Sequence, residues 1–301
     1  MATSTSLSGN FAGEKASGYL YPAILAANTI GEGIVTVHEN IKYKLNVRNL
    51  ATTGFLADAT CDFADTGNVA LSDVVLEPKE LQVNIELCKK DFRDQWESME
   101  MRGALNGQEI PSSFQEFFIQ KNLELIAKDF EVAIWQGSAS AGSFAGLESR
   151  LAANTDVVDV SNSGTPLSAS NIIAELTKVY NAISNQVFVA DDFAIHIPIS
   201  ASKFYIAAQA ALGYQNLYYD GKTPMNFLGV PLKVAHGLSN NKMVAARASD
   251  LHFGTNVLTD LAEVQVVDMS ETDGSQNVRF IARMTGGTQI TNGADIVYYV
   301  A

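Results

Sequence analysis

Two stretches of the chain alternate apolar and polar residues without a break. In the first, Ile41, Tyr43, Leu45 and Val47 are separated by Lys42, Lys44 and Asn46, with Arg48 following. In the second, Leu81, Val83, Ile85 and Leu87 are separated by Gln82, Asn84 and Glu86, with Cys88 following. A period of two sets every apolar residue on one face of an extended strand, the pattern of a half-buried strand. Each run spans about 27 Å at the usual strand rise. The polar face of the first is cationic and that of the second offers Glu86 and amides, so antiparallel pairing joins complementary groups. The expected object is a long two-stranded arm. Its broad tip would come from the intervening residues, which include Gly54, Gly67 and several aspartates.

A two-stranded ribbon is marginal in water by itself, and this one carries an apolar face. Soluble chains rarely leave such a face bare. It lies either on the chain's own core, as antiparallel sheets commonly do, or across another copy. The ribbon's own residues leave both open.

The other elements follow from periodicity. Between Pro111 and Gly137, Ile119, Leu123, Ile126, Phe130 and Ala133 recur at helical spacing. Phe118, Leu125 and Val132 are expected to widen that stripe. Ser113 and Glu116 fit a capping box, and Glu124 precedes Lys128 by one favourable helical step. The predicted helix over 112–136 is about 35 Å long. A loop of small residues, Gly137 to Gly146, follows. Ile172, Ile173, Leu176, Val179, Tyr180 and Ile183 predict a second helix, and residues 201–211 a short third. Phe193, Ile195 and Ile197 predict a strand stopped by Pro198, and Gly229–Val234 another. Glu263–Asp268 and Val278–Met284 flank a turn and predict a hairpin. Ile296–Val300 predicts a final strand. Residues 1–33, rich in Ala, Ser, Thr, Gly and Asn, read as an extended arm. Helices and antiparallel strands in this order give an α+β fold.

Composition narrows the function. The chain has 301 residues, 47% hydrophobic and 18% charged, which is a folded rather than a disordered composition. Its 20 Lys+Arg against 33 Asp+Glu give a formal charge of -13, unsuited to wrapping a duplex. No apolar run is long enough for a membrane span, and the N-terminal residues lack the pattern of a secretory signal. Cys61 and Cys88 are too few for a disulfide framework and read as reduced thiols of a cytosolic protein.

Catalytic motifs fail on inspection. His38, His196, His236 and His252 show no metal-ligand spacing. The carboxylate pairs Asp191–Asp192 and Asp156 with Asp159 sit beside loops and read as solvated. Asn216 to Thr223 ends like a phosphate loop but has Asn216 where glycine is required. Gly31 to Thr36 lacks the third glycine of a dinucleotide loop, and Ser140 follows Ser138 rather than glycine two residues before it. No cofactor, metal or enzymatic activity is expected.

Three stretches in order carry a resemblance. The first is Leu76-Glu-Pro-Lys-Glu-Leu81, continued by Val83–Leu87 and Asp91-Phe-Arg-Asp94. The second is Phe130-Glu-Val-Ala-Ile-Trp-Gln-Gly137 with Phe144-Ala-Gly-Leu147. The third is Phe227-Leu-Gly-Val-Pro-Leu-Lys-Val234 with Leu251-His-Phe-Gly254 and Val278-Arg-Phe-Ile-Ala-Arg283. Together they resemble the major capsid proteins of tailed bacteriophages, the Hong Kong 97-type fold, over essentially the whole chain.

The resemblance implies an N-terminal arm (1–33), an extended β-hairpin loop (34–90), and a spine helix with peripheral domain (91–140). It further implies an axial domain (141–260) and the returning peripheral strands with the C-terminal strand (261–301). It implies a virion shell subunit, made in the host cytoplasm, that forms hexamers and pentamers around double-stranded DNA without sequence-specific binding. Partners would be the portal, a separate scaffolding protein and possible decoration proteins, with no membrane. Ile41, Tyr43, Leu45, Val47, Leu81, Val83, Ile85 and Leu87 would then serve an intersubunit contact. An encapsulin-type shell around protein cargo shares the fold and is the alternative. The acidity fits a negative lumen that lets packaged DNA slide.

Overall fold

The computed structural model describes residues 9–12, 28–53, 56, 58–59, 61, 68–88, 112–140, 142–211, 225–256, 263–271 and 274–301. Outside this description lie most of the expected arm, much of the hairpin tip, the Asp91–Asp94 exit, Pro111 and the turn at 216–223. The side chains of Ser113 and Glu116 lie outside it too.

In chain order the elements are β1 (Gly9–Ala12), α1 (Asn28–Gly31), β2 (Thr36–His38), β3 (Leu45–Thr53), β4 (Asn68–Leu76), β5 (Lys79–Cys88) and α2 (Ser112–Gln136). Then come α3 (Leu147–Ala153), β6 (Val158–Ser161), α4 (Ile172–Ala182), β7 (Phe193–Ile197), α5 (Ile199–Ala211), β8 (Met225–Phe227) and β9 (Val230–Val234). The chain closes with β10 (Lys242–Arg247), β11 (Leu251–Gly254), β12 (Glu263–Asp268), β13 (Asn277–Ile290) and β14 (Val297–Val300). This is the expected α+β class.

The first sheet runs β1-β12-β13-β11-β2, with β5 also paired to β13. The β12–β13 hairpin stands where alternation placed it. β13 is longer than expected because its lower half pairs β12 and β5 while its upper half pairs β11. Within the expected arm, β1 is an antiparallel strand on this chain's own β12, and residues 28–31 form α1. The second sheet runs β6-β14-β10-β7-β9-β8, and β3 and β4 form a separate two-stranded ribbon.

There are two apolar cores, and the second sheet lies between them. Val244, Ala246, Ile296 and Tyr298 face the first core with Phe130, Ile134, Trp135, Phe253 and Phe280. Met243, Ala245, Val297 and Tyr299 face the second core with Leu176, Val179, Ile195 and Tyr205. A strand buried on both faces reads as a continuous apolar run, as β10 and β14 do.

The expected α2 stripe needs one correction. Ile119, Ile126 and Phe130 are buried, but Leu125 is 52% exposed and Val132 is exposed as well. At 3.6 residues per turn Ile126 and Phe130 stand nearly in line with Ile119, whereas Leu125 and Val132 stand more than about 100° around the helix and fall outside the buried face.

A buried carboxylate fastens three segments. Glu131 on α2 accepts from Thr29 N at 3.0 Å, Thr29 Oγ1 at 2.5 Å and Gly237 N at 3.1 Å. Trp135 Nε1 donates to the same threonine oxygen at 2.6 Å. A side chain at Gly237 would stand 2.1 Å from the Glu131 carbonyl oxygen, so only glycine lets the turn approach the helix. A second buried carboxylate, Glu148 on α3, accepts from Ser239 N, Ser239 Oγ and Lys242 Nζ at 2.7, 2.8 and 2.6 Å.

Candidate assembly surface

The predicted pairing of residues 41–48 with 81–88 does not occur. β3 pairs β4 from Leu45↔Leu76 to Thr53↔Asn68, and β5 pairs β13 from Lys79↔Gly286 to Cys88↔Asn277. The cause is a ten-residue register on β13 that buries the alternating face of β5. Leu81, Val83, Ile85 and Leu87 pack on the first core. Glu86, expected to meet the cations of the first run, instead accepts from Arg279 Nε at 2.8 Å and from Asn277 Nδ2 at 2.5 Å. The chain runs on from β4 into β5 along β13 through Glu77–Pro78, with Val75 beside Gln289, Glu77 beside Gly287 and Lys79 opposite Gly286. Lys79 Nζ donates to the carbonyls of Ser140 and Ser143 at 2.7 and 2.8 Å.

Directly opposed residues share a face, so the β3–β4 register sorts the ribbon. One face holds Leu45 with Leu76, Val47 with Val74 and Asn49 with Ser72. Leu76 is buried, and Leu45, Val47 and Val74 are partly so. The Asn49 amide donates to Asn292 Oδ1 on the body of the subunit. The other face holds Asn46 with Val75, Arg48 with Asp73 and, further along β4, Leu71. Here Val75 is 42% and Leu71 70% exposed, and Arg48 meets Asp73 at 3.6 Å in the open. Such an exposed pair contributes little. Tyr43, in the lead-in to β3, is 84% exposed, and Leu56 at the tip is 99% exposed.

The expected contact residues are therefore divided. Ile41 is buried at the ribbon's root, Tyr43 is exposed, Leu45 and Val47 look toward the body, and the β5 set lies on the core. Among the described residues, the exposed apolar side chains of the ribbon itself are Leu71 and Val75. Sequence reading missed them because Ser72 and Asp73 interrupt the alternation of β4. The signal available was the largely apolar segment with three valines, Val69, Val74 and Val75, between Gly67 and Pro78.

The root is held by packing and polar contacts. Ile41 and Leu76 pack on Gly254 of β11, where an added Cβ would stand 2.7 Å from Ile41 Cδ1 and 2.9 Å from Leu76 Cδ2. Thr255 N donates to His38 O at 3.0 Å, Ile41 N to Thr255 O at 3.3 Å, and Gln289 Nε2 to Val75 O at 2.8 Å. Asn292 Nδ2 donates to Asp250 Oδ1 at 3.0 Å. Burial pushes the Asp250 carboxyl up to about 6. Lys44 meets Glu77 at 3.0 Å. Gly254→Val should lift the root from β11 and cost about 1–3 kcal/mol, the usual range for overpacking. Urea denaturation would measure it, and an unchanged midpoint would show that the root does not rest on this contact.

Several chemistry-bearing residues have structural roles. Burial pushes the Asp192 carboxyl up, but hydrogen bonds from Arg247 and Ser249 outweigh this and hold it below its ordinary value. His196 lies in β7 beside Trp135, and burial, with Lys233 nearby, lowers its pKa to about 3. Cys61 is exposed and Cys88 is half-buried, both as free thiols. Among the described residues, no group of three His, Cys, Asp or Glu side chains could hold a metal ion.

No protein-family model matches the sequence, and no curated protein matches it. Solved structures do match. Mycobacterium phage Adephagia aligns at 14% identity, covering 92% of this chain and 89% of that one, with a TM-score of 0.58. The capsid of a native GTA particle aligns at 13% identity over 100% and 95%, with a TM-score of 0.57. A virus-like particle from Pyrococcus furiosus aligns at 12% identity over 95% and 98%, with a TM-score of 0.52. The chain has the Hong Kong 97-type capsid fold.

Proposed function

We propose that this chain is a major capsid protein. It self-associates as hexamers and pentamers into the icosahedral shell of a tailed phage, enclosing double-stranded DNA without reading its sequence. One observation carries the reading: a projecting ribbon keeps Leu71 and Val75 uncovered on one face, in a fold whose solved neighbours include capsids and a procapsid. A second copy would cover that face, together with Tyr43 and Leu56. Ile41, Leu45 and Val47 would hold the ribbon at its working angle from behind.

The subunit performs no chemistry in this reading. Its work is symmetric association, with the ribbon absorbing the difference between five-fold and six-fold surroundings. It acts in the virion after assembly in the host cytoplasm, with a portal and a separate scaffolding protein, and with decoration proteins as possible additions. The net charge of -13 disfavours tight phosphate binding by the shell wall. A second reading, a compartment shell around protein cargo, is favoured by the virus-like particle among the neighbours.

Negative-stain microscopy of the purified chain tests both. Closed shells or rings of five and six support assembly, and a monomer at high concentration contradicts it. Nuclease-protected DNA in particles from the natural source selects the phage reading, and a co-purifying enclosed protein selects the second.

A further inference from the structure

At the root of the ribbon two histidines from opposite ends of the sequence meet. His38 ends β2, and His252 lies in β11, which pairs β2 in parallel. His38 Nε2 lies 3.0 Å from His252 Nδ1, and His252 Nε2 lies 3.1 Å from Thr291 Oγ1. The rings sit at 5.1 Å between centroids, and His252 is 5% exposed. A contact this short between two imidazole nitrogens needs a donor on one side and a lone pair on the other. It is made by two neutral rings or by one proton shared between them. Two protonated rings would present like charges at hydrogen-bond distance.

We propose that the His38–His252 pair is a proton-operated latch that fastens the ribbon root when neutral and releases it when both rings are charged. Release follows the chain. β2 leads directly into the segment 39–44 and then β3, and the His38 carbonyl accepts Thr255 N beside the Ile41–Thr255 bond. Separating His38 from β11 therefore unzips the two backbone bonds that precede the Ile41 and Leu76 contact with Gly254. The Asn49–Asn292 and Gln289–Val75 bonds remain, so the ribbon gains freedom about its root without the sheet coming apart.

The charged groups around the pair do not stabilise its cationic form enough to reverse this. They are Glu39 and Lys42 after β2, Lys44 bound to Glu77, and Asp250 with Arg247, Asp192 and Asp295 around the turn before β11. Burial lowers His38, and burial together with His38 lowers His252 to about 4 from 6.5. The docked root thus binds fewer protons than a released one between these values. Docking is fully favoured above about 6.5 and is lost as pH falls toward about 4. Asp250 has the opposite slope: its carboxyl, raised from 3.8 to about 6, favours the folded form as pH falls through that window. It is a separate group, removable in a control.

The test uses the full-length chain as unassembled subunits and needs no shell to form. Hydrogen exchange over 36–45 and 251–256, corrected for the intrinsic rate, is compared near pH 8 and near pH 5. The exchange is expected to rise about tenfold or more at the lower pH, a tenfold change corresponding to one unit of pKa shift. The segment Phe280–Ala282 of β13, which is apolar and holds no histidine, serves as the unchanged reference. His38→Gln, which keeps a neutral polar side chain at a half-buried position, should reduce the rise, the double variant His38→Gln with His252→Gln should abolish it, and Asp250→Asn should leave it intact. Imidazole resonances should show His252 titrating well below the ordinary histidine value of 6.5. A wild-type root whose exchange does not depend on pH, a rise left undiminished in His38→Gln, or one that persists in the double variant overturns the latch and leaves the shell reading untouched.

Discussion

Glu131→Ala is expected to destabilise the subunit by about 2–4 kcal/mol, because it leaves buried donors without an acceptor. The carboxylate is the common acceptor for α1 and for the turn at Gly237, so its loss leaves Thr29 N and Gly237 N buried with nothing to replace it. Each orphaned donor costs about 1–3 kcal/mol. Water cannot readily enter, because Trp135 is fully buried over the same threonine and Gly237 lies against the helix backbone. Glu131→Gln retains one carbonyl oxygen and should recover part of the loss. The measurement is the urea midpoint at constant slope. A loss below about 1 kcal/mol would mean that the junction is held by packing alone.

The second large effect concerns assembly rather than stability. Leu71→Glu combined with Val75→Glu should leave the isolated subunit within about 0.5 kcal/mol of wild type, since both side chains already face water. The same pair should abolish shells and capsomers, because two carboxylates would have to enter an apolar contact without partners. Leu81→Glu is the contrasting variant. It puts a charge on the first core and should unfold the subunit before it affects association. Sedimentation and thermal melting separate the two outcomes. Assembly that survived the Leu71 and Val75 changes would remove this face from the contact.

The elements of this fold were legible where one period dominated. The α2 helix, the β12–β13 hairpin, β7 stopped by Pro198 and the strict alternation of β5 all stand close to where the sequence sets them. Pairing was another matter. Alternation states that a strand has a buried face but not which strand or core buries it. The runs at 41–48 and 81–88 are near in sequence and complementary in charge, yet β5 finds a longer register on β13, almost two hundred residues away. β4 was invisible because its outward face mixes Asp73 with Leu71 and Val75. The His38–His252 contact and the Glu131 junction were equally hidden. Each joins residues more than a hundred apart, and no local spacing encodes such a meeting.

The central claim is that the outer face of the ribbon is completed by a different copy. A photoreactive amino acid at position 71, in an equal mixture of light and heavy isotope-labelled chains assembled together, addresses it directly. The account predicts cross-linked peptide pairs joining light to heavy chains. Cross-links confined to one chain would place the ribbon on its own subunit and contradict it.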